Sequence, residues 1–157
     1  MKASLESPTI LVIEDGDEYL ENLSRFVAGP RYLQAHSGPE ALEILERTPV
    51  DLLYLDMRFD RTPRELLLGD HGKATREHNG DPQRGWKYLE NNQGLFILAV
   101  LREGGFVGIP VILAYDFSRE QRRFGHLSQA HPSLSWVPDA VTPDEIRNRI
   151  STLLSNA

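Results

Sequence analysis

Residues 10–15 read Ile-Leu-Val-Ile-Glu-Asp, and residues 51–56 read Asp-Leu-Leu-Tyr-Leu-Asp. Each is a short apolar run that ends on an acid. A run apolar at every position, not at every second one, predicts a strand covered on both faces, as in a parallel sheet. Three further runs, at residues 32–35, 110–115 and 134–137, predict strands two, four and five, the second being the weakest. Between them lie amphipathic stretches. Leu20, Leu23, Phe26 and Val27 recur at helical spacing before Gly29-Pro30 stops the pattern. Ser37-Gly-Pro-Glu40 and Thr142-Pro-Asp-Glu145 have the Ser/Thr-x-x-Glu form of a capping box, and Ser118-Arg-Glu-Gln121 is a third match that opens a basic helix with Arg119, Arg122 and Arg123. Strands alternating with helices predict βα units wound on both faces of one sheet. Five strands and five helices in strict alternation account for the chain, apart from one long insertion.

The 157 residues, 40% hydrophobic and 25% charged, are ordinary for a single domain with a real core, here 1–157. The absence of cysteine excludes disulfides, thiolate metal sites and thiol catalysis, and fits reducing, cytoplasmic surroundings. No apolar run approaches the roughly 18 residues of a membrane span, and Met-Lys-Ala-Ser-Leu-Glu-Ser-Pro-Thr at the start lacks the apolar core of a signal peptide. Met1 and the closing Ser-Asn-Ala are the ends expected of a complete product. Seventeen Lys and Arg against 23 Asp and Glu give a net charge of −6, which argues against a nucleic-acid partner.

In a doubly wound sheet, ligands bind outside the carboxyl ends of the strands. Glu14 and Asp15 directly follow strand one, and Asp56 ends strand three, so three carboxylates are expected at one edge. Such a set suits a hard divalent cation; Mg2+ in particular keeps several waters and serves phosphate chemistry. The plainer alternative is that Asp15 caps the first helix and Asp56 starts a loop. Other chemistries lack their motifs. There is no Gly-x-x-x-x-Gly-Lys-Ser/Thr, no Gly-x-Gly-x-x-Gly and no Gly-x-Ser-x-Gly, and Asp56-Met57-Arg58 lacks the second Asp of aspartyl-phosphate phosphatases.

The ordered combination resembles the receiver domain of two-component response regulators. Ile-Leu-Val-Ile-Glu-Asp-Gly-Asp-Glu-Tyr-Leu-Glu-Asn-Leu (10–23) resembles its first strand, acidic pair and first helix. Residues 37–45 resemble its second helix, 51–57 its phosphoacceptor strand, 94–113 its third helix and fourth strand, and 142–150 its last helix. The resemblance implies a flavodoxin-like fold with strand order 2-1-3-4-5. It further implies that Asp56 accepts a phosphoryl group from a histidine kinase or phosphotransfer protein, that Glu14, Asp15, Asp56 and the backbone carbonyl of Arg58 hold Mg2+, and that output passes to a downstream protein. No enzyme activity is expected beyond phosphorylation and dephosphorylation at Asp56 itself.

Three departures qualify this. The family's Thr or Ser at the end of strand four is replaced by Tyr115 in a gapless register, or by Ala114 if one residue is deleted. A gapless register also sets Trp136 at the family's aromatic switch position and Asp139 at its lysine, whereas alignment on Pro138 sets Val137 there. No Lys or Arg lies between Arg123 and Arg147, so the lysine is missing in either register. An acid in its place repels an acyl phosphate.

The third departure is the insertion, about residues 59–92. It reads as a long polar loop with at most one short helix, anchored by Leu66, Leu67 and Leu68 alone. Helical patterning resumes at residues 86–89 and 95–102. Because the insertion leaves the sheet at Asp56, it is expected over the same edge, where Arg58, Arg61, Arg64 or Lys73 could replace the missing lysine. His71 and His78 with Asp70, Glu77 and Asp81 are a weaker metal-site alternative. The expected function is an atypical receiver in phosphorelay signalling; the alternative is a phosphorylation-independent scaffold with the same fold.

Overall fold

A computed structural model describes residues 7–155; the chain ends, read above as those of a complete product, lie outside the described residues. Five strands, β1 (Thr9–Ile13), β2 (Arg31–Ala35), β3 (Leu52–Asp56), β4 (Val111–Ala114) and β5 (Leu134–Val137), form one parallel sheet in the order β2-β1-β3-β4-β5. Each observed strand lies within about two residues of its expected bounds at either end. The order is the flavodoxin-like one that the resemblance implied.

Alternate residues of the central strands feed two cores, so every position of β1 is buried, and Ile10 to Ile13 are fully so. Ile10, Val12, Leu52, Tyr54, Ile112 and Ala114 face α1 (Glu18–Phe26) and α7 (Pro143–Ser155), which contribute Leu23, Ile146 and Ile150. Leu11, Ile13, Leu53, Leu55 and Leu113 face the other way, toward Ala41 and Leu45 of α2 (Gly38–Arg47) and Ile97, Leu98 and Leu101 of α5 (Gln93–Glu103). At about 1.5–3 kcal/mol for each large apolar side chain removed from water, these strands supply the main driving force for the fold. The Thr142–Glu145 capping box forms reciprocally: Glu145 N–H donates to Thr142 Oγ1 (3.2 Å) and Thr142 N–H to Glu145 Oε1 (3.1 Å). Ser37 Oγ likewise accepts from Glu40 N–H, while the Glu40 carboxylate reaches His36 N–H, one residue short of the ideal box. Ser118-Arg-Glu-Gln121 is not a capping box. α6 (Gln121–Ala130) starts two residues later than that match requires, after Glu120, which makes no side-chain cap, and Ser118 N–H is taken by Asp116.

The insertion corrects the expectation of a polar loop. A 3-10 turn (Arg64–Leu66) is followed by two helices packed on one another, α3 (His71–Glu77) and α4 (Pro82–Asn91). Each begins on an Asp cap: Asp70 accepts from Lys73 N–H, and Asp81 from Gln83 and Arg84 N–H. Phe59 is fully buried, and Leu67, Ala74 and Leu89 join the same core, so the insertion is part of the domain and not a mobile appendage. Of the expected Leu66–Leu68 anchor, Leu67 is buried, Leu68 packs at the core's margin and Leu66 is exposed. Buried Gln93 fastens this stretch, with its side chain accepting from Leu68 N–H (2.7 Å) and donating to the Leu68 and Leu89 carbonyls. Gly94 lies flush against the chain that follows β3. A Cβ there would press on the Asp56 carbonyl and the Met57 Cα, and Gly94 N–H donates to the Met57 carbonyl (2.9 Å).

Candidate functional site

Register sets the geometry of the carboxyl edge. Asp56 pairs with Ala114, and Ala114 with Val137, so β3, β4 and β5 end level with one another. Above them opens a cavity of about 590 Å³ lined by Asp15, Tyr19 and Asp56, by Arg58, Asp60 and Arg61 of the insertion's first stretch, and by Tyr115, Asp116 and Asp139.

Asp56 is half-buried, and one of its oxygens accepts from Met57 N–H (2.8 Å). Burial pushes its carboxyl up to about 7. The Met57 N–H opposes that rise, while the charges of Asp15, Glu14 and Asp139 add to it. Asp15 has a side chain only 4% exposed, and both its oxygens are held by one residue: Arg61 N–H donates to Oδ2 (2.7 Å) and the Arg61 guanidinium to Oδ1 (3.4 Å).

Glu14 does not line the cavity. Its buried carboxylate accepts from Tyr19 N–H (3.1 Å) and Leu20 N–H (3.0 Å) in the first turn of α1, and burial holds its carboxyl above the usual range against those two bonds. It is thus Glu14, and not Asp15 or Asp17, that satisfies the free N–H groups of this helix. Among the described residues no three His, Asp or Glu side chains are gathered as metal ligands. The carboxylate pair that remains in the cavity, Asp15 and Asp56 beside Arg58, is an oxygen donor set suited to a hard divalent cation. Crowding of negative charge on Asp56 is the feature such an ion would relieve, so the residues fit it.

The positions expected to couple the site separate in space. Ala114 lies beside Asp56 and offers no hydroxyl, whereas Tyr115 lines the cavity with its hydroxyl hydrogen-bonded to the Glu120 carboxylate. Glu120 also pairs with Arg123 (2.7 Å), whose other nitrogen reaches Asn92 at the end of α4 (2.8 Å), so Arg123 is not part of a free basic face. Val137 is buried in the core against α7, and Asp139 lines the cavity. Trp136 packs edge-on to Phe117, on the opposite face of the sheet from α1 and α7. Of the four candidate cations, Arg58 and Arg61 line the cavity. Arg64 instead lies over the Trp86 ring and bonds Gln83, and Lys73 borders a separate cleft with Glu77 and Tyr88. His71 stacks on Trp86 at 3.6 Å, and His78 bonds the Ala74 carbonyl and lies against the Tyr88 ring (centroids 5.1 Å apart), so both histidines pack α3 against α4. Tyr19 and Asp116 line the cavity without having been singled out from sequence. Tyr19 follows the acidic pair by four residues, a spacing that could have flagged it.

No protein-family model matches the chain, and no curated protein does. Solved structures do. The receiver domain of the Francisella response regulator 1452 superposes with a TM-score of 0.63 at 17% identity, over 95% of this chain and 98% of that one. The signal receiver domain of a putative LuxO repressor protein from Vibrio parahaemolyticus gives 0.65 at 14% identity, over 96% and 92%. The chemotaxis response regulator CheY4 of Vibrio cholerae gives 0.61 at 14%, over 94% and 99%. This protein therefore has the receiver-domain fold, and the likeness is one of fold. No helix among the described residues is long and apolar enough to cross a membrane.

Proposed function

We propose that the chain is a receiver-type signalling domain in a phosphorelay, in which Asp56 accepts a phosphoryl group from a histidine kinase or phosphotransfer protein and the insertion carries the read-out to a protein partner. The observation that supports this best is the position of Asp56: at the end of the central strand, in an open cavity, with Asp15 and two insertion arginines around it. In the transfer, an ionised Asp56 oxygen attacks phosphorus, the N–P bond of the donor's phosphohistidine breaks, and the imidazole leaves with that electron pair. Asp56 must be a carboxylate to attack, and a carboxyl titrating near 7 is only partly so at neutral pH. Mg2+, held by Asp15, Asp56 and the Arg58 main-chain carbonyl, would favour the ionised form and neutralise phosphoryl oxygens. Arg58 and Arg61 supply positive charge that the family's lysine would otherwise bring, while Asp139 opposes it.

Incubation with acetyl phosphate and MgCl2 followed by intact mass measurement tests this. One added phosphoryl group, lost in Asp56→Asn, is the expected result; no mass gain over hours contradicts it. A second reading, a scaffold that works without phosphorylation, is favoured by one group of observations: Ala114, Val137 and Asp139 stand where coupling residues would, and Arg61 holds Asp15.

A further inference from the structure

Arg61 bridges two carboxylates, those of Asp15 and Glu18. Its main-chain N–H and its guanidinium take the two oxygens of Asp15, and the same guanidinium nitrogen reaches the Glu18 carboxylate at 3.0 Å. The adjoining Thr62 is buried and donates to the His36 carbonyl (3.5 Å), so this stretch crosses the carboxyl ends of β1 and β2. Gly16 makes room for the crossing, since a Cβ at that position would collide with the Arg61 guanidinium. Its φ lies outside the left-handed region, so the backbone there would tolerate alanine. The segment is bounded by two buried anchors, Phe59 and Leu67, and apart from Thr62 residues 60–66 between them are exposed. An exposed, bridging guanidinium of this kind is a modest contact, open to displacement.

We infer that Arg61 and a divalent cation are alternative occupants of Asp15, so that loading the cation releases residues 60–66 from the carboxyl edge while Phe59 and Leu67 stay seated. The inference rests on the proposed role of Asp15 as a cation ligand. A cation on the Asp15 carboxylate places positive charge beside the guanidinium, and the two repel each other across a nearly buried carboxylate. Arg61 keeps Glu18 as a partner when it leaves Asp15, which lowers the cost of the exchange. The insertion would thereby report on the site through a latch of its own, without a hydroxyl at residue 114 or a lysine after β5.

Calorimetric titration with MgCl2 tests this on the full chain, comparing wild type with Arg61→Ala, Gly16→Ala and Arg84→Ala. Gly16→Ala displaces the guanidinium, together with the Glu18 carboxylate beside it, but keeps both charges; Arg84→Ala removes a positive charge of the insertion that neither lines the cavity nor bonds Asp15. Arg61→Ala and Gly16→Ala are expected to bind Mg2+ at least about fivefold more tightly than wild type, and Arg84→Ala within about twofold of it. Saturating Mg2+ should also speed hydrogen exchange at the Arg61 amide of the wild type. Equal affinities in wild type, Arg61→Ala and Gly16→Ala would overturn the latch, as would an Arg84→Ala gain as large as that of Arg61→Ala, or no Mg2+ binding by any variant. If instead the competition is seen but acetyl phosphate modifies neither wild type nor Arg61→Ala, the latch stands and the phosphoacceptor proposal fails.

Discussion

At the scale of single residues, Asp56 sets the pH behaviour of the site. It keeps its proton in the folded protein up to about pH 7, whereas in an unfolded chain an Asp releases it near 3.9. Between those values the folded state binds the extra proton, so the contribution of Asp56 to stability falls as pH rises through the window. The loss is complete above pH 7 and absent below about pH 4. Allowing for solvent screening at a half-buried site, Asp56→Asn is expected to stabilise the fold by about 1–3 kcal/mol at pH 8 and by under about 0.5 kcal/mol at pH 4. Urea unfolding at the two pH values measures this; a difference that does not change with pH contradicts it. Asp139 faces the same cavity and works against an incoming phosphoryl group. A repulsion of about 1 kcal/mol corresponds to about fivefold in rate, which is the acceleration expected for acetyl phosphate labelling of Asp139→Asn. An unchanged rate would mean that solvent screens Asp139 from the reaction. The acids themselves were legible in the sequence as an acidic pair after one strand and an Asp after another. The direction of Glu14 was not, because whether a carboxylate enters a cavity or turns back to cap its own helix depends on backbone geometry that spacing leaves open.

Among the elements, the insertion decides how far the chain departs from a plain five-unit fold. Of its two helices, α4 was legible only from residue 86, and α3, His-Gly-Lys-Ala-Thr-Arg-Glu, was not placed because it carries a single buried apolar residue, Ala74, and so shows no apolar stripe. The signals present were the caps, Asp70 and Asp81-Pro82, which mark helix starts by the same rule that identified Thr142. The strands were read more easily, since burial on both faces leaves runs apolar at every position. Phe59 and Leu89 tie the insertion to the main core with essentially no exposure. Each replaced by Ala is expected to cost about 2–5 kcal/mol. Gln93→Ala leaves the Leu68 N–H and carbonyl without their partners and is expected to cost about 1–3 kcal/mol. A Gly/Ser linker in place of residues 60–81 removes Leu67 and Ala74 as well, and should destabilise the domain, not spare it. Chemical denaturation checks all four; wild-type midpoints would show the insertion to be dispensable.

Across the whole molecule, one sheet brings residues from β1, β3, β4, β5 and the insertion to a single edge, and the sequence pattern was enough to foresee that edge and its strand order. What the pattern could not foresee is which cations arrive there. Arg61 reaches Asp15 and Arg64 does not, because the 3-10 turn and the α3–α4 pair carry Arg64 onto Trp86. The family's usual route from the acceptor to the last strand is missing its hydroxyl and its lysine, while Trp136 is packed against Phe117 on the sheet face opposite α1 and α7. Charge added at Asp56 is therefore expected to act through the segment that follows it. The most direct measurement is the map of amide chemical shifts with and without beryllofluoride and Mg2+. The expected result is large shifts from Met57 to Thr62, continuing to Gln93 and Gly94, with little change at Trp136. No shifts near Asp56, or the largest changes on β5 around Trp136, would contradict an acceptor site read through the insertion.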